Sequence, residues 1–164
     1  MRRTAVAVLA SIALAAWAGP APATETPAIT GAPGSIIVGG GPATQDYDFM
    51  VSLQNRSGDH RCGASLVRSN WVLTAAHCAV GTQPQEHQVM MGSHKLSDPK
   101  DIYEVDEMII HELYEGADTH DVALLHLTKK AKHKTIRIAS PAERERWVPG
   151  TSALVIGWGT EFYG

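Results

Sequence analysis

The stretch Leu73-Thr74-Ala75-Ala76-His77-Cys78 sets an imidazole between a small residue and a cysteine, directly after the apolar run that begins at Trp71. Trp71 to Thr74 reads as a short strand, because β-branched and aromatic residues fit a pleated, half-buried surface. Ala75 to Ala79 then suits a single helical turn, which puts His77 at the rim of whatever the strands enclose. The only other cysteine is Cys62, 16 positions upstream. In an oxidising compartment such a pair becomes a disulfide, and closing the loop stabilises by roughly 3 kcal/mol in the chain-entropy model. Two free buried thiols are the alternative. A Cys2His2 zinc site is disfavoured, since neither C-x-x-C nor a suitably spaced histidine pair accompanies them.

Working outward from this stretch, short apolar and β-branched segments recur at Phe49 to Gln54, Gly63 to Val67, His87 to Met91, Ile102 to Ile110, Val122 to His126, Ile136 to Ala139 and Ala153 to Ile156. Between them lie turn-forming residues, as at Gly58-Asp59, Arg68 to Asn70 and Gly92 to Lys100. Many short strands without long 3.6-residue periodicity point to an all-β barrel or sandwich. The run Lys129, Lys130, Lys132, Lys134, with His133 inside it, reads as a solvated loop. Trp71, Trp147 and Trp158 read as packing residues.

The N-terminal region has a different character. Residues 1–23 read as a signal peptide: Arg2 and Arg3 precede an apolar stretch from Ala5 to Ala16, and Ala16-Trp17-Ala18 and Ala21-Pro22-Ala23 offer cleavage spacing. A twin-arginine route is compatible with Arg2-Arg3. Residues 24–36, rich in Pro, Thr, Ala and Gly, read as a propeptide or linker. The folded domain is expected over 37–164, and the protein is expected to be secreted and extracellular. No later stretch approaches the ~20 apolar residues of a membrane-spanning helix. The formal charge is -3, and removal of 1–36 takes away two arginines and one glutamate, leaving -4. Such mild acidity gives no basis for binding nucleic acid or an anionic membrane.

Acyl transfer to a serine needs a hydroxyl, an imidazole to take its proton, a carboxylate to orient that imidazole, and amide donors for the oxyanion. His77 and Asp121 are candidates for the middle two. Asp121 leads directly into the apolar Val122-Ala123-Leu124-Leu125, which can bury a carboxylate beside an imidazole N–H. Metal chemistry finds less support. His111-Glu112-Leu113-Tyr114-Glu115 begins like H-E-x-x-H but carries Glu115 where the second histidine belongs. His120 and His126 form no recognisable chelating pair, so no metal site and no cofactor are expected.

Ile37-Val38-Gly39-Gly40, Leu73 to Cys78, Asp121 to Leu125 and Gly157-Trp158-Gly159 occur in the order and approximate spacing of the trypsin-like, chymotrypsin-fold serine proteases. The chain resembles that family over about residues 37 to 159. The resemblance implies the first six-stranded antiparallel β-barrel of a two-barrel fold, with the second barrel largely missing. It makes His77 the general base and acid, Asp121 the residue that fixes its tautomer, and Cys62–Cys78 the bridge that closes the histidine loop. It also makes Ile37 the candidate mature N-terminus. No Lys or Arg lies between Arg3 and Arg56, which excludes a trypsin-type cut before Ile37.

The nucleophile does not match. No Gly-Asp-Ser-Gly-Gly segment occurs, and Ser65, Ser93 and Ser97 lack a glycine-flanked setting. The expectation is a fragment of a secreted endopeptidase that is inactive as written and acts on polypeptide substrates in a full-length form. The alternative is a non-catalytic, protease-like module. In either case a single barrel exposes a face that calls for a protein partner.

Overall fold

The computed structural model describes residues 41–116 and 119–159. The expected signal peptide 1–23, linker 24–36 and N-terminus at Ile37 lie outside the described residues. Six strands form among the described residues: β1 (Met50–Asn55), β2 (His60–Arg68), β3 (Trp71–Thr74), β4 (His87–Met91), β5 (Asp101–Ile110) and β6 (Ala123–Leu127). All neighbours are antiparallel, and the order β1-β2-β3-β6-β5-β4 closes on itself through β1 and β4. The expected six-stranded antiparallel barrel is therefore present.

Closure depends on β5. Its first residues, Asp101 to Glu104, pair with β4, whereas Val105 to Ile110 pair with β6, so one long strand turns the corner between the two halves of the sheet. Register shifts between Leu53 and Gln54, Leu66 and Arg68, and Val105 and Glu107 add local bends. Bulges of this kind increase twist, which a barrel this small needs.

The strand period of two fills the interior. Val51 and Leu53, Ala64 and Leu66, Val72, Val89 and Met91, Tyr103 and Val105, and Ala123, Leu125 and Leu127 converge in one buried cluster. Ala76, Ala79 and Ala131 seal it. The β1–β2 hairpin is set by Asn55, whose side-chain oxygen accepts from the amides of Ser57 and Asp59, and by Gly58 at φ 88°. A left-handed backbone at that position favours glycine.

Two expected strands do not form. Ile136 to Ala139 and Ala153 to Ile156 carry apolar residues but make no ladder; Leu154 and Val155 are 74% and 73% exposed. The closed barrel leaves no strand edge beside them, and a strand needs an edge to pair with. The Ile136 amide reaches the Leu66 carbonyl at 2.9 Å, but no second rung follows. Trp147, expected as a packing residue, is half-exposed at the end of the kinked 3-10 segment Pro141–Trp147. Trp71 packs edge-on against His126, and Trp158 lies against His60. Among the described residues no helix is long and apolar enough to cross a membrane.

Leu125 is fully buried at the centre of this cluster. Leu125→Ala should cost about 2–5 kcal/mol through lost transfer energy and a residual cavity. Urea denaturation of wild type and variant checks this, and a loss below 1 kcal/mol would contradict the packing described.

Candidate functional site

β3 and β6 bring the two candidate residues together. In their antiparallel register Thr74 lies opposite Ala123. His77 follows Thr74 by one short turn, and Asp121 precedes Ala123 by two residues, so the ladder delivers both side chains to the same end of the barrel.

His77 sits in a one-turn 3-10 helix, Ala76–Cys78. Ala76 and Ala79 are fully buried on either side of it, where larger side chains would lift the turn off the core. Cys78 is bonded to Cys62 in β2, with 6.2 Å between their Cα atoms. The turn is thus held by packing at both ends and covalently at its last residue.

Asp121 is aimed by its own neighbours. The Val122 amide donates to the His120 carbonyl at 2.7 Å, which folds the chain tightly around Asp121, and the Val122 carbonyl accepts from the His111 amide at 3.1 Å. His120 takes a positive φ of 49°, a conformation uncommon outside glycine. Its ring stacks on that of His111 with 4.8 Å between centroids.

The two residues meet through both carboxylate oxygens. The His77 amide donates to Asp121 Oδ1 at 2.8 Å, and the ring Nδ1–H donates to Oδ2 at 2.7 Å. These two bonds, in that order, together with the attraction of the imidazole and a weaker contribution from the Ala76 amide, hold the Asp121 carboxyl below its ordinary value. A carboxylate only accepts, so the proton of the neutral ring resides on Nδ1 and Nε2 keeps its lone pair. The His77 side chain is 53% exposed and that of Asp121 20%. An oriented imidazole with an accessible basic nitrogen can take a proton from a hydroxyl and return it to a leaving group.

Three other histidines also meet aspartates: His94 with Asp46, His126 with Asp106 and His133 with Asp101. Their carboxylates are all 45% exposed or more, so water competes for each. Asp46 resembles Asp121 in accepting from both the amide and the ring of one histidine, yet does so through a single oxygen. The His77–Asp121 pair combines the more shielded carboxylate with the braced backbone. None of the other three was legible as a pair in the sequence, because no recognisable motif surrounds their residues.

Cys62, His77 and Cys78 place potential ligand atoms within 4.8 Å of one another. Both sulfurs are spent in the disulfide, and thiolate is what binds a metal. His111 follows β5 in a turn, and its Nδ1 accepts from the Leu113 amide at 3.2 Å. A cleft of about 540 Å³ opens elsewhere, between Val67, Arg68, Trp71, Leu124 and the segment Thr135 to Ile138. It is a feature of the barrel's outer face and takes in neither His77 nor Asp121.

Residues 37–164 match the family model described as Trypsin. The chain is 38% identical to "Trypsin theta" of Drosophila melanogaster over 130 residues, covering 77% of this chain and 49% of the relative. It is 36% identical to "Trypsin" of Saccharopolyspora erythraea over 126 residues, covering 75% and 55%. With human "Granzyme M" it shares 38% identity over 136 residues, covering 80% and 52%. The chain thus spans about half the length of the curated relatives it matches. Its fold is also that of part of the "Secreted serine protease VesC from Vibrio cholerae", with a TM-score of 0.58 at 24% identity over 65% of this chain and 24% of that one.

Asp121→Asn tests the electrostatics of the site. Because the native carboxyl titrates below its unfolded counterpart, its contribution to stability is complete above about pH 4 and declines as pH falls through the native value. The variant should lose that part of the acid dependence. Its His77 ring should also leave the Nδ1–H tautomer, since the asparagine amide can donate to it. Acid titration of stability and imidazole nitrogen NMR read the two effects, and an unchanged tautomer would contradict the assigned geometry.

Proposed function

The chain belongs to the trypsin family, and from that premise we propose that it carries the base-and-carboxylate half of a secreted serine endopeptidase that hydrolyses peptide bonds through a Ser-His-Asp triad. The observation that carries this reading is the double hydrogen bond from His77 to both oxygens of Asp121. In this role His77 Nε2 takes the proton of a serine hydroxyl as it attacks the carbonyl of a polypeptide substrate, then protonates the departing amine. Asp121 stays ionised throughout, holding the tautomer and stabilising the imidazolium. Its depressed pKa suits a group that must keep its charge.

The serine and the oxyanion donors are not assigned to any residue of this sequence. Ser65 sits within β2, and Ser93 donates to the Lys95 carbonyl, so its hydroxyl is already engaged. The 164-residue chain alone is accordingly proposed to be inactive, with turnover belonging to a longer form that includes a glycine-flanked serine. The segment before residue 37 is proposed to direct export, and Ile37 is proposed as the mature N-terminus. No cofactor enters this chemistry, and neither nucleic acid nor membrane has a role in it.

A second reading is favoured by a different observation. Ile109, Ile138, Leu154 and Val155 are exposed, and a protein partner would cover such apolar side chains. On that reading the barrel is a non-catalytic, protease-like binding module. The His77–Asp121 geometry favours catalysis, because binding alone places no demand on an oriented imidazole with a basic nitrogen in solvent.

Two measurements bear on the proposal. The purified 164-residue chain should not react with a fluorophosphonate serine probe, and stoichiometric labelling would show that a nucleophile had been overlooked. In a form that carries the serine, His77→Ala should lower kcat by roughly 10⁴ or more while leaving the thermal transition nearly unchanged. Normal turnover in that variant would remove His77 from the mechanism.

A further inference from the structure

His87 is a buried titratable group that the triad chemistry leaves unused. It opens β4 on the same strand face as the core residues Val89 and Met91, and it is 6% exposed. Its Nε2 lies 2.8 Å from Thr82 Oγ, and that hydroxyl donates to the Ala79 carbonyl at 2.6 Å. A hydroxyl has one proton to give, so Thr82 Oγ accepts from His87, and the ring is the neutral Nε2–H tautomer. Nδ1 is then a bare lone pair, buried and without a hydrogen-bond partner among the described residues. A proton placed there would create a buried cationic N–H with no acceptor, which is costlier than a neutral unpaired group.

The other end of this chain of bonds is the turn that carries His77. The amides of Ala79 and Val80 both donate to the Ala76 carbonyl at 2.9 Å, closing the short helix. The Ala79 carbonyl then receives the Thr82 hydroxyl. Between them Gly81 takes a left-handed φ of 77°, which folds the chain back. His87 therefore grips, through one hydroxyl, the residue directly after Cys78. The disulfide ties the turn to β2 from the other side.

We propose that His87 is a positioning residue for the His77 turn: as a neutral donor to Thr82 it clamps the end of the turn, and because a proton on its buried Nδ1 finds no acceptor there, acid draws the ring out of its site and so releases the clamp. The proposal rests on the reading of His77 as the general base, although the clamp itself is a matter of tautomer and hydrogen bonding.

The surrounding charges do little to ease protonation. Glu86, next in the chain, favours the cation, but its carboxylate accepts from the Gln83 amide at 3.0 Å. Across the ladder Asn55 is neutral, and the following Arg56 pairs with Glu104 of β5. The β5 carboxylates Asp101 and Asp106 pair with His133 and His126, while Glu107 is exposed. On the turn itself, His77 is committed to Asp121. Burial outweighs Glu86 and pushes the His87 ring below the ordinary histidine value. The unfolded ring takes its proton near pH ~6.5 and the native ring only at lower pH. The clamp's contribution is therefore complete above that point and is lost as pH falls through the native value. His60 is also pushed down by burial, so the two must be told apart.

Nitrogen-15 NMR of the full 164-residue chain provides the test. His87 should appear as the Nε2–H tautomer and titrate below ordinary histidines. Amide exchange at Val80 and Thr82, corrected for its intrinsic pH dependence, should accelerate by up to about tenfold per pH unit across the same window. His87→Gln, which keeps an amide donor without the titration, should flatten that profile, whereas His60→Gln should leave it in place. An Nδ1–H tautomer, a ring pKa at or above the ordinary value, or an unchanged profile in His87→Gln would overturn the proposal. Should His87→Gln fail to fold, the wild type decides alone, since ring and amide midpoints that differ also overturn it. None of these readouts measures turnover. A fully active His77→Ala form would remove the catalytic reading and leave the clamp standing, whereas a wrong tautomer or an unshifted titration of His87 would leave the triad reading untouched.

Discussion

The pairing of β3 with β6 is the constraint on which the rest depends. These strands are separated by nearly fifty residues of chain, yet their ladder sets Thr74 against Ala123 and so fixes what lies beyond each end. Everything distinctive about the site follows from that register. A slip of one residue would turn Leu125 and Val72 away from the core and would carry Asp121 out of reach of His77. The core and the site are thus specified by the same rungs, and sequence change that preserves one tends to preserve the other.

The short helix that carries His77 is too brief to be stable by itself, since a single turn fixes several dihedral angles for few bonds. Its order comes from outside. Ala76 and Ala79 give it two buried feet, Cys78 gives it a covalent tie to β2, and Asp121 accepts from its backbone as well as from its ring. The carboxylate thereby does two things at once: it aligns the imidazole and it satisfies an amide at the start of a turn, where helical donors otherwise lack partners. An asparagine in its place would retain part of the second role and forfeit the first.

Much of this was legible in the residues, and the limits are physical. Trp71 to Thr74 and His87 to Met91 were readable to the residue, because Ser69-Asn70 punctuate the start of the first and Gly92 the end of the second. β2 extends three residues earlier than its apolar pattern suggests, since the hairpin with β1 continues through Cys62 and, past a bulge, the polar His60. Ile136 to Ala139 and Ala153 to Ile156 carry strand-like patterns that the closed barrel cannot use. A one-dimensional pattern reports what a segment would bury, whereas the presence of a neighbour to bury it against is a property of the fold. His77 and Asp121 were recognisable from the motifs around them. The Thr82–His87 link and the His111–His120 stack were not, because the roles of their side chains depend on contacts that no spacing encodes.

The circular ladder has a consequence for how this molecule meets others. Open sheets associate by adding strands at their edges, through backbone groups that any sequence possesses, and that route underlies fibrils and strand-swapped oligomers. The described strands offer no such edge, while Leu154, Val155 and Ile138 stand exposed on the outside. Self-association through the described barrel would therefore run through side chains. It should respond to single apolar substitutions and to denaturant, and it should yield amorphous or stoichiometric assemblies rather than cross-β fibres.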